Sequence, residues 1–373
     1  MAGEVLKAIR LVILITLFSL LFGEAGARIL GLSPRPTITL NTCTGYLSVP
    51  NMQGYAPGPN GLIPVSINSA GFRDTEHEVG KKESTYRVLF LGDSFTEALQ
   101  VPINETFTSQ LQQRADEAHL PLEIITMGVS SFGTGQELRA YECYGRQYRP
   151  DLVVLTFVNG HDLLDNYFRT DPFTPTYSIV DGKLFLDTEY QNRIKVRLDA
   201  KNSLVKGSLY AVKDNSALAR YLLLTYQNTR AGDTLSTSGG IDEPVFLQEY
   251  AKEYPADWEN AWKLTELIIA TLAKETHEDG ARLLLVQLPS LEQLEPERVA
   301  NPERFDFEKP TKRLSTIAQA LRIPVLNLHV PFSESSDAKS LHFTDDLHLT
   351  KKGHGVVAGV LFNEITAKYL PKE

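Results

Sequence analysis

The sequence predicts a three-layer α/β/α domain: five parallel strands covered by helices on both faces, with an insertion of about ninety residues between the third and fourth strands. Three observations predict it. Apolar runs without polar alternation recur along the chain, separated by amphipathic stretches, as in a parallel sheet buried on both faces. Turn-forming residues punctuate the runs. The rhythm breaks once, between about 167 and 255, and then resumes. The 373 residues are 42% hydrophobic and 22% charged, the balance of a globular chain with a substantial core. No internal repeat is visible.

At the N-terminus, "KAIRLVILITLFSLLFG" sets Lys7 and Arg10 before an uncharged run from Leu11 to Gly23. With Ala8 and Ile9 the run approaches the ~20 residues of a membrane span. Residues 1–29 therefore read as a signal anchor, and the small residues Ala25-Gly26-Ala27 also fit a cleaved signal peptide. The leading charges favour a cytoplasmic N-terminus. Both versions put the main domain outside the cytoplasmic membrane. Residues 30–86, rich in Pro, Gly and Asn, read as an irregular lead-in with short strands packing on the domain, which occupies 87–373.

Within that domain "RVLFLG" is the first strand, and "ETFTSQLQQRADEA" is a helix with Phe107, Leu111 and Ala115 at helical spacing. "LEIITMG" is the second strand. A helix over "GQELRAYECYGRQY" stops before Pro150, and "DLVVLTFVNG" is the third strand. Inside the insertion, "IVDGKLFLD" predicts a hairpin and "TRAGDTLSTSGG" a loop. A helix from Trp258 to Lys274 then turns Trp258, Trp262, Ile269 and Leu272 to one face, a core stripe. The strand "ARLLLVQLP", a helix from Lys312 to Leu321, the strand "PVLNL" and a helix from Gly353 to about Tyr369 complete the chain. The Glu-rich "SLEQLEPERVANPERFDFEK" reads as a solvated loop.

The net charge of −9 excludes nucleic acid as a partner, because no basic surplus exists to neutralise phosphates. Cys43 and Cys143 lack any zinc-binding spacing; pairing is open to them, but they read as two lone thiols. His342, His348 and His354 recur every six residues, a period that puts ligands on one face of neither helix nor strand, so no metal is expected. No cofactor is expected either, since the loop after the first strand lacks a phosphate-cradling run of glycines.

In an open parallel sheet, ligands bind beyond the carboxyl ends of the strands. Those positions hold Gly92-Asp93-Ser94, Gly128 and Asn159-Gly160-His161-Asp162, joined by Asp345, Asp346 and His348 in "FTDDLHLTKKGHG". Taken alone, Ser94 fits a helix N-cap as well as a nucleophile. Together these residues are the inventory of acyl transfer: a hydroxyl, an imidazole to take its proton, an acid to orient the imidazole, and amides to hold an oxyanion. No G-x-S-x-G surrounds Ser94, so the site is not a nucleophile elbow.

The blocks "FLGDSFTEAL", "TMGVSSFGTGQEL", "FVNGHDLLDN" and Asp345-Asp346-Leu347-His348, in this order, resemble the SGNH (GDSL-type) hydrolase family of esterases, lipases and acyltransferases. The upstream "INSAGFRD" resembles a lead-in of membrane-anchored bacterial members. The resemblance implies a flavodoxin-like SGNH fold, with Ser94 as nucleophile, His348 as base and Asp345 as the acid. Asp346 fits the shorter Asp-x-His of related acyltransferases. The oxyanion donors it implies are the amides of Ser94 and Gly128, plus a side chain. The family's asparagine falls on His161, whose neutral imidazole still donates one N–H, and Asn159 is the alternative two positions earlier. Thr126 also replaces an asparagine usual in the second block. The implied activity is serine-dependent hydrolysis of an ester or an acylated carbohydrate, outside the membrane, either anchored by the N-terminal helix or secreted. An O-acyltransferase with the same triad, and a degenerate binding protein on the SGNH fold, stay open as alternatives.

Overall fold

The computed structural model describes residues 2–30, 38–59, 61–168, 171–201, 208, 212, 216–219, 221–222, 245–344 and 346–371. "TRAGDTLSTSGG" lies outside them. The chain divides into two compact units, one of Met1–Thr37 with Val196–Asp242, the other of Ile38–Lys195 with Glu243–Glu373.

The first unit contains the helix α1 (Ala2–Ile29). Its 28 residues span about 42 Å, longer than a bilayer's hydrocarbon core. Between Gly3 and Ile29 it is apolar enough to cross a membrane, and its most apolar window is unburied. Within the same unit Glu24 accepts hydrogen bonds from the Ser216 hydroxyl (2.7 Å) and from the amides of Ala217 and Leu218 (3.0 Å each).

The second unit opens with two antiparallel hairpins, β1 (Ile38–Asn41) with β2 (Gly45–Ser48) and β3 (Gln53–Gly58) with β4 (Gly61–Ser66). The main sheet follows. Its strands are β5 (Tyr86–Gly92), β6 (Leu122–Gly128), β7 (Leu152–Val158), β10 (Arg282–Leu288) and β11 (Val325–Asn327), in the order β11-β10-β7-β5-β6 with every pair parallel. Strands β8 (Thr176–Val180) and β9 (Lys183–Asp187) are the hairpin foreseen in "IVDGKLFLD". Its turn, Asp181-Gly182, has φ of 50° and 73°, the left-handed pair that matches the twist of a two-residue hairpin.

The continuous apolar runs follow from burial on both faces. Leu89, Leu91, Val153, Leu155 and Phe157 point to one side, packing with Trp258, Trp262 and Leu272 of α5 (Ala256–Glu278) and Leu314 of α6 (Lys309–Leu321). Val88, Phe90, Val154 and Val286 point to the other. There they meet Phe107 and Leu111 of α3 (Phe107–Glu117) and Leu361 and Ile365 of α7 (Lys351–Lys368). The chain passes from β5 to β6 at the sheet edge and returns to β7 on the far side of β5. This reversal opens a crevice between the loops that leave β5 and β7.

Two expectations change. The helix over "GQELRAYECYGRQY" is α-helical only as α4 (Thr134–Ala140); a π turn at Tyr141–Gly145 and a 3₁₀ turn at Arg146–Tyr148 complete it. The cysteines are not lone thiols. Cys43, between β1 and β2, is bonded to Cys143 in the π turn, with Cα atoms 6.6 Å apart and a sequence separation of 100. The lead-in lies on α4, with Gln136 donating to Thr44 O at 2.9 Å and Tyr190 to Cys43 O at 2.6 Å. No local spacing signals that approach.

Cross-linking so long a loop contributes about 4–5 kcal/mol in the chain-entropy account. Replacing both cysteines by serine is therefore expected to lower the thermal midpoint by roughly 5–10 °C, read by calorimetry under non-reducing conditions. An unchanged midpoint would contradict this role for the disulfide.

Candidate active site

Strand β5 ends on Gly92, and Asp93 caps the single-turn helix α2 (Ser94–Glu97) by accepting the Phe95 N–H at 2.9 Å. The capping role thus falls to Asp93 and leaves the Ser94 hydroxyl free for other partners. The helix stops at Ala98, whose φ of 54° is left-handed. It sits very low on the sheet. A Cβ on Gly92 would lie 2.0 Å from Thr156 Oγ1 and 2.1 Å from Thr96 Oγ1, and one on Gly128 would lie 2.5 Å from Glu97 N. Only glycine admits this approach. Thr96 and Thr156 then share a buried hydrogen bond of 2.7 Å between α2 and β7.

The far end of α2 is braced from the lead-in. Arg73 of "INSAGFRD" is buried, and its guanidinium donates to Glu97 O (2.9 Å), Val101 O (2.7 Å) and Ala98 O. The Glu97 carboxylate accepts from Ser130 N (2.7 Å), the Ser130 hydroxyl and Ser48 Oγ (3.3 Å). Neither Arg73 nor Glu97 was foreseen as a support from the sequence, although Arg73 lies inside a motif it singles out.

The C-terminal loop arrives from the other side of the crevice. Phe343 N donates to His348 O at 2.8 Å and Leu347 N to Phe343 O at 2.9 Å. Leu347 itself has φ of 67°, a costly conformation for a branched side chain. The turn brings His348 Nε2 to 2.8 Å from Ser94 Oγ, across 254 residues of sequence. On the other side of the ring, Nδ1 meets Asp346 Oδ1 and lies 3.0 Å from Asp346 O. Asp345 lies outside the described residues. The His348 and Asp346 side chains are 19% and 31% exposed, so the site is shallow.

Phe95 lies between two imidazoles, 4.7 Å from the His348 ring and 5.8 Å from that of His161. The His161 backbone is held by its N–H to Val158 O (3.2 Å) and its carbonyl to Asp165 N (3.0 Å). Burial, helped by the neighbouring His348, pushes the His161 pKa down to about 4, so the ring is neutral at pH 7. Asn159 is differently employed. Its amide donates to Gln293 Oε1 (2.8 Å) and Thr311 Oγ1 (3.4 Å) and accepts from Gln287 (2.8 Å). Both of its donors are thus committed within the interior. The Ser94 N–H, in the first turn of α2, has no intrahelical acceptor. Gly128 abuts the same helix.

Several acids surround these loops. Asp162 accepts from Val158 N at 2.7 Å and Thr134 Oγ1 at 3.2 Å. Among the described residues the fully buried Glu137 carboxyl has no hydrogen-bond partner, and burial with neighbouring Asp162 and Asp93 raises its pKa well above the ordinary range. Among the described residues no group of three or more His, Cys, Asp or Glu is arranged to hold a metal. His354 accepts the Phe107 N–H at 3.2 Å, across 247 positions of sequence. Two grooves of about 480 and 450 Å³ elsewhere on the surface include neither Ser94 nor His348.

No protein-family model matches the chain, and no curated protein matches its sequence. Among solved structures it is similar to a lipase/acylhydrolase from Enterococcus faecalis, at 12% identity and TM-score 0.43 over 78% of this chain and 100% of that one. It is also similar to the psychrotrophic esterase EstA from Pseudoalteromonas sp., at 14% identity and TM-score 0.39 over 75% and 97%. A third likeness is to a mutant acetyl-xylooligosaccharide esterase from Geobacillus Stearmophilus, at 12% identity and TM-score 0.42 over 78% and 100%.

The buried acids give stability a pH dependence. Burial pushes Asp93 up to about 7 and Glu249 up to about 8, from ordinary values of 3.8 and 4.5. Between pH 6.5 and 8 the folded chain holds protons that the unfolded chain has released, so stability falls as pH rises through this window. Below 6.5 the half-buried His161 and the buried His342 and His354, pushed down by desolvation to about 4, 4 and 3, act in the opposite sense. Calorimetry across pH 6.5–8 is expected to show a falling thermal midpoint, and a rising one would contradict this account of the buried acids.

Proposed function

We propose that the protein is a serine esterase of the SGNH type, cleaving a carboxylic ester through an acyl-enzyme. The observation that carries the reading is the 2.8 Å contact between Ser94 Oγ and His348 Nε2. Ser94 attacks the ester carbonyl as His348 Nε2 takes its proton. The resulting imidazolium protonates the departing alcohol, and a water activated by the same nitrogen releases the acid. Asp346 keeps the Nδ1 proton in place and stabilises the imidazolium. In this reading it takes the part that the sequence analysis assigned to Asp345.

The developing oxyanion is held by the amides of Ser94 and Gly128 and by the His161 side chain, each donor being worth roughly 3 kcal/mol. A neutral His161 suits this task, since it offers one N–H without adding a charge that would raise the cost of the His348 imidazolium. Asn159 is left out because its donors are engaged elsewhere.

The substrate class is an ester or acylated carbohydrate, and the site of action is extracytoplasmic. Helix α1 supports membrane attachment by length and composition. The Cys43–Cys143 bond supports an oxidising compartment. One observation favours the acyltransferase alternative: the acid on His348 is two residues before it, the Asp-x-His spacing of acyltransferase relatives. The intact serine–histidine contact speaks against a degenerate binding protein.

Hydrolysis of p-nitrophenyl acetate is expected to fall by about 10³-fold or more in Ser94→Ala. Activity within tenfold of the parent would overturn the assignment. Adding an oligosaccharide acceptor and measuring acetyl transfer against acetate release separates transferase from esterase.

A further inference from the structure

The return leg of the insertion, Val245–Tyr250, carries a buried acid that the proposed mechanism does not use. Glu249 is fully buried, and its Oε2 accepts the N–H of Gly160. Gly160 has φ of 89° and is the residue before His161. Its Cα faces the same leg: a Cβ there would lie 3.6 Å from Tyr250 Oη and 3.7 Å from Phe246 Cδ2. The leg is fastened in turn. Tyr250 Oη bonds Ser290 Oγ at 2.9 Å, and Asp306 N donates to Tyr250 O at 2.7 Å. The other members of the loop are also tied down, Asn159 by Gln287, Gln293 and Thr311, and His161 by Val158 O. The Gly160 amide is the link that runs to the insertion.

We infer that Glu249 is a positioning residue, which holds the Gly160 peptide so that the His161 side chain stands at the oxyanion site. The inference rests on the serine-esterase reading and extends it to a residue that touches neither substrate nor the reacting atoms. The role needs an acceptor and not a charge. Among the described residues no cationic group is bonded to Glu249 and Oε1 has no partner, and burial keeps the carboxyl protonated near neutrality. A glutamine, which has the same length and a carbonyl acceptor, therefore substitutes for it. Alanine leaves the Gly160 N–H unpaired in the interior and frees the loop.

The test measures kcat and KM for p-nitrophenyl acetate, with the thermal midpoint, in full-chain Glu249→Ala, Glu249→Gln, His161→Ala and the double Glu249→Ala/His161→Ala. Glu249→Met, of similar length and without the acceptor, replaces the alanine variant if that does not fold. Expected is a fall in kcat of about ten- to a hundredfold for Glu249→Ala with KM changed less than threefold, because oxyanion donors act on the transition state. Glu249→Gln should stay within threefold of the parent. The double variant should be no slower than His161→Ala, since the two substitutions disable one donor. Parental kcat in Glu249→Ala, an equal loss in Glu249→Gln, or additive losses in the double variant would overturn the inference alone. Hydrolysis that survives Ser94→Ala overturns the esterase reading and the inference with it.

Discussion

Two strands that end in glycine let one turn of helix settle onto the sheet, and the position of Ser94 depends on that close approach. Gly92 and Gly128 make room for Thr96, and Thr96 locks to Thr156 at 2.7 Å. Because β7 carries Thr156 and also leads into the His161 loop, one hydrogen bond registers the serine's helix against the loop that faces it. Any residue larger than glycine at position 92 or 128 would lift α2 and break this registry. The 2.8 Å approach of His348 to Ser94 tolerates little such movement, since a hydrogen bond weakens steeply with displacement.

The parts outside the sheet serve the same geometry. From the lead-in, Arg73 closes the C-terminal carbonyls of α2, and Ser48 reaches Glu97. The disulfide at Cys43 fastens the lead-in to the π turn that ends α4, and α4 follows the loop carrying Ser130, another Glu97 partner. From the insertion's return leg, Glu249 reaches Gly160. Segments that look peripheral in sequence therefore end on the loops around Ser94.

The sheet was legible because burial on both faces writes itself as unbroken apolar runs, and each of the five runs became a strand. The β8–β9 turn was legible because Asp-Gly is the pair that accepts two left-handed residues. Ser94 was singled out by its position at a strand end and both Ser94 and His348 by their resemblance to family blocks, and the fold brings their side chains together. The supports were not legible for a physical reason. Arg73 and Glu249 bond backbone groups, which carry no residue identity and leave no pattern in one sequence, and Glu97 meets serines 33 and 49 positions away. The Cys43–Cys143 pairing depends on how an irregular segment docks, which periodicity does not encode. With two adjacent aspartates before His348, the family resemblance favoured Asp345, whereas the left-handed turn at Leu347 sets Asp346 against Nδ1.

The proposed esterase requires that His348 make Ser94 nucleophilic. Incubation with a fluorophosphonate, followed by peptide mass spectrometry, examines it without any assumption about the natural substrate. The account predicts one phosphonyl adduct per chain, on the peptide containing Ser94, and its near-complete loss in His348→Ala. Labelling that is absent, that falls on another residue, or that persists undiminished without the imidazole would contradict it.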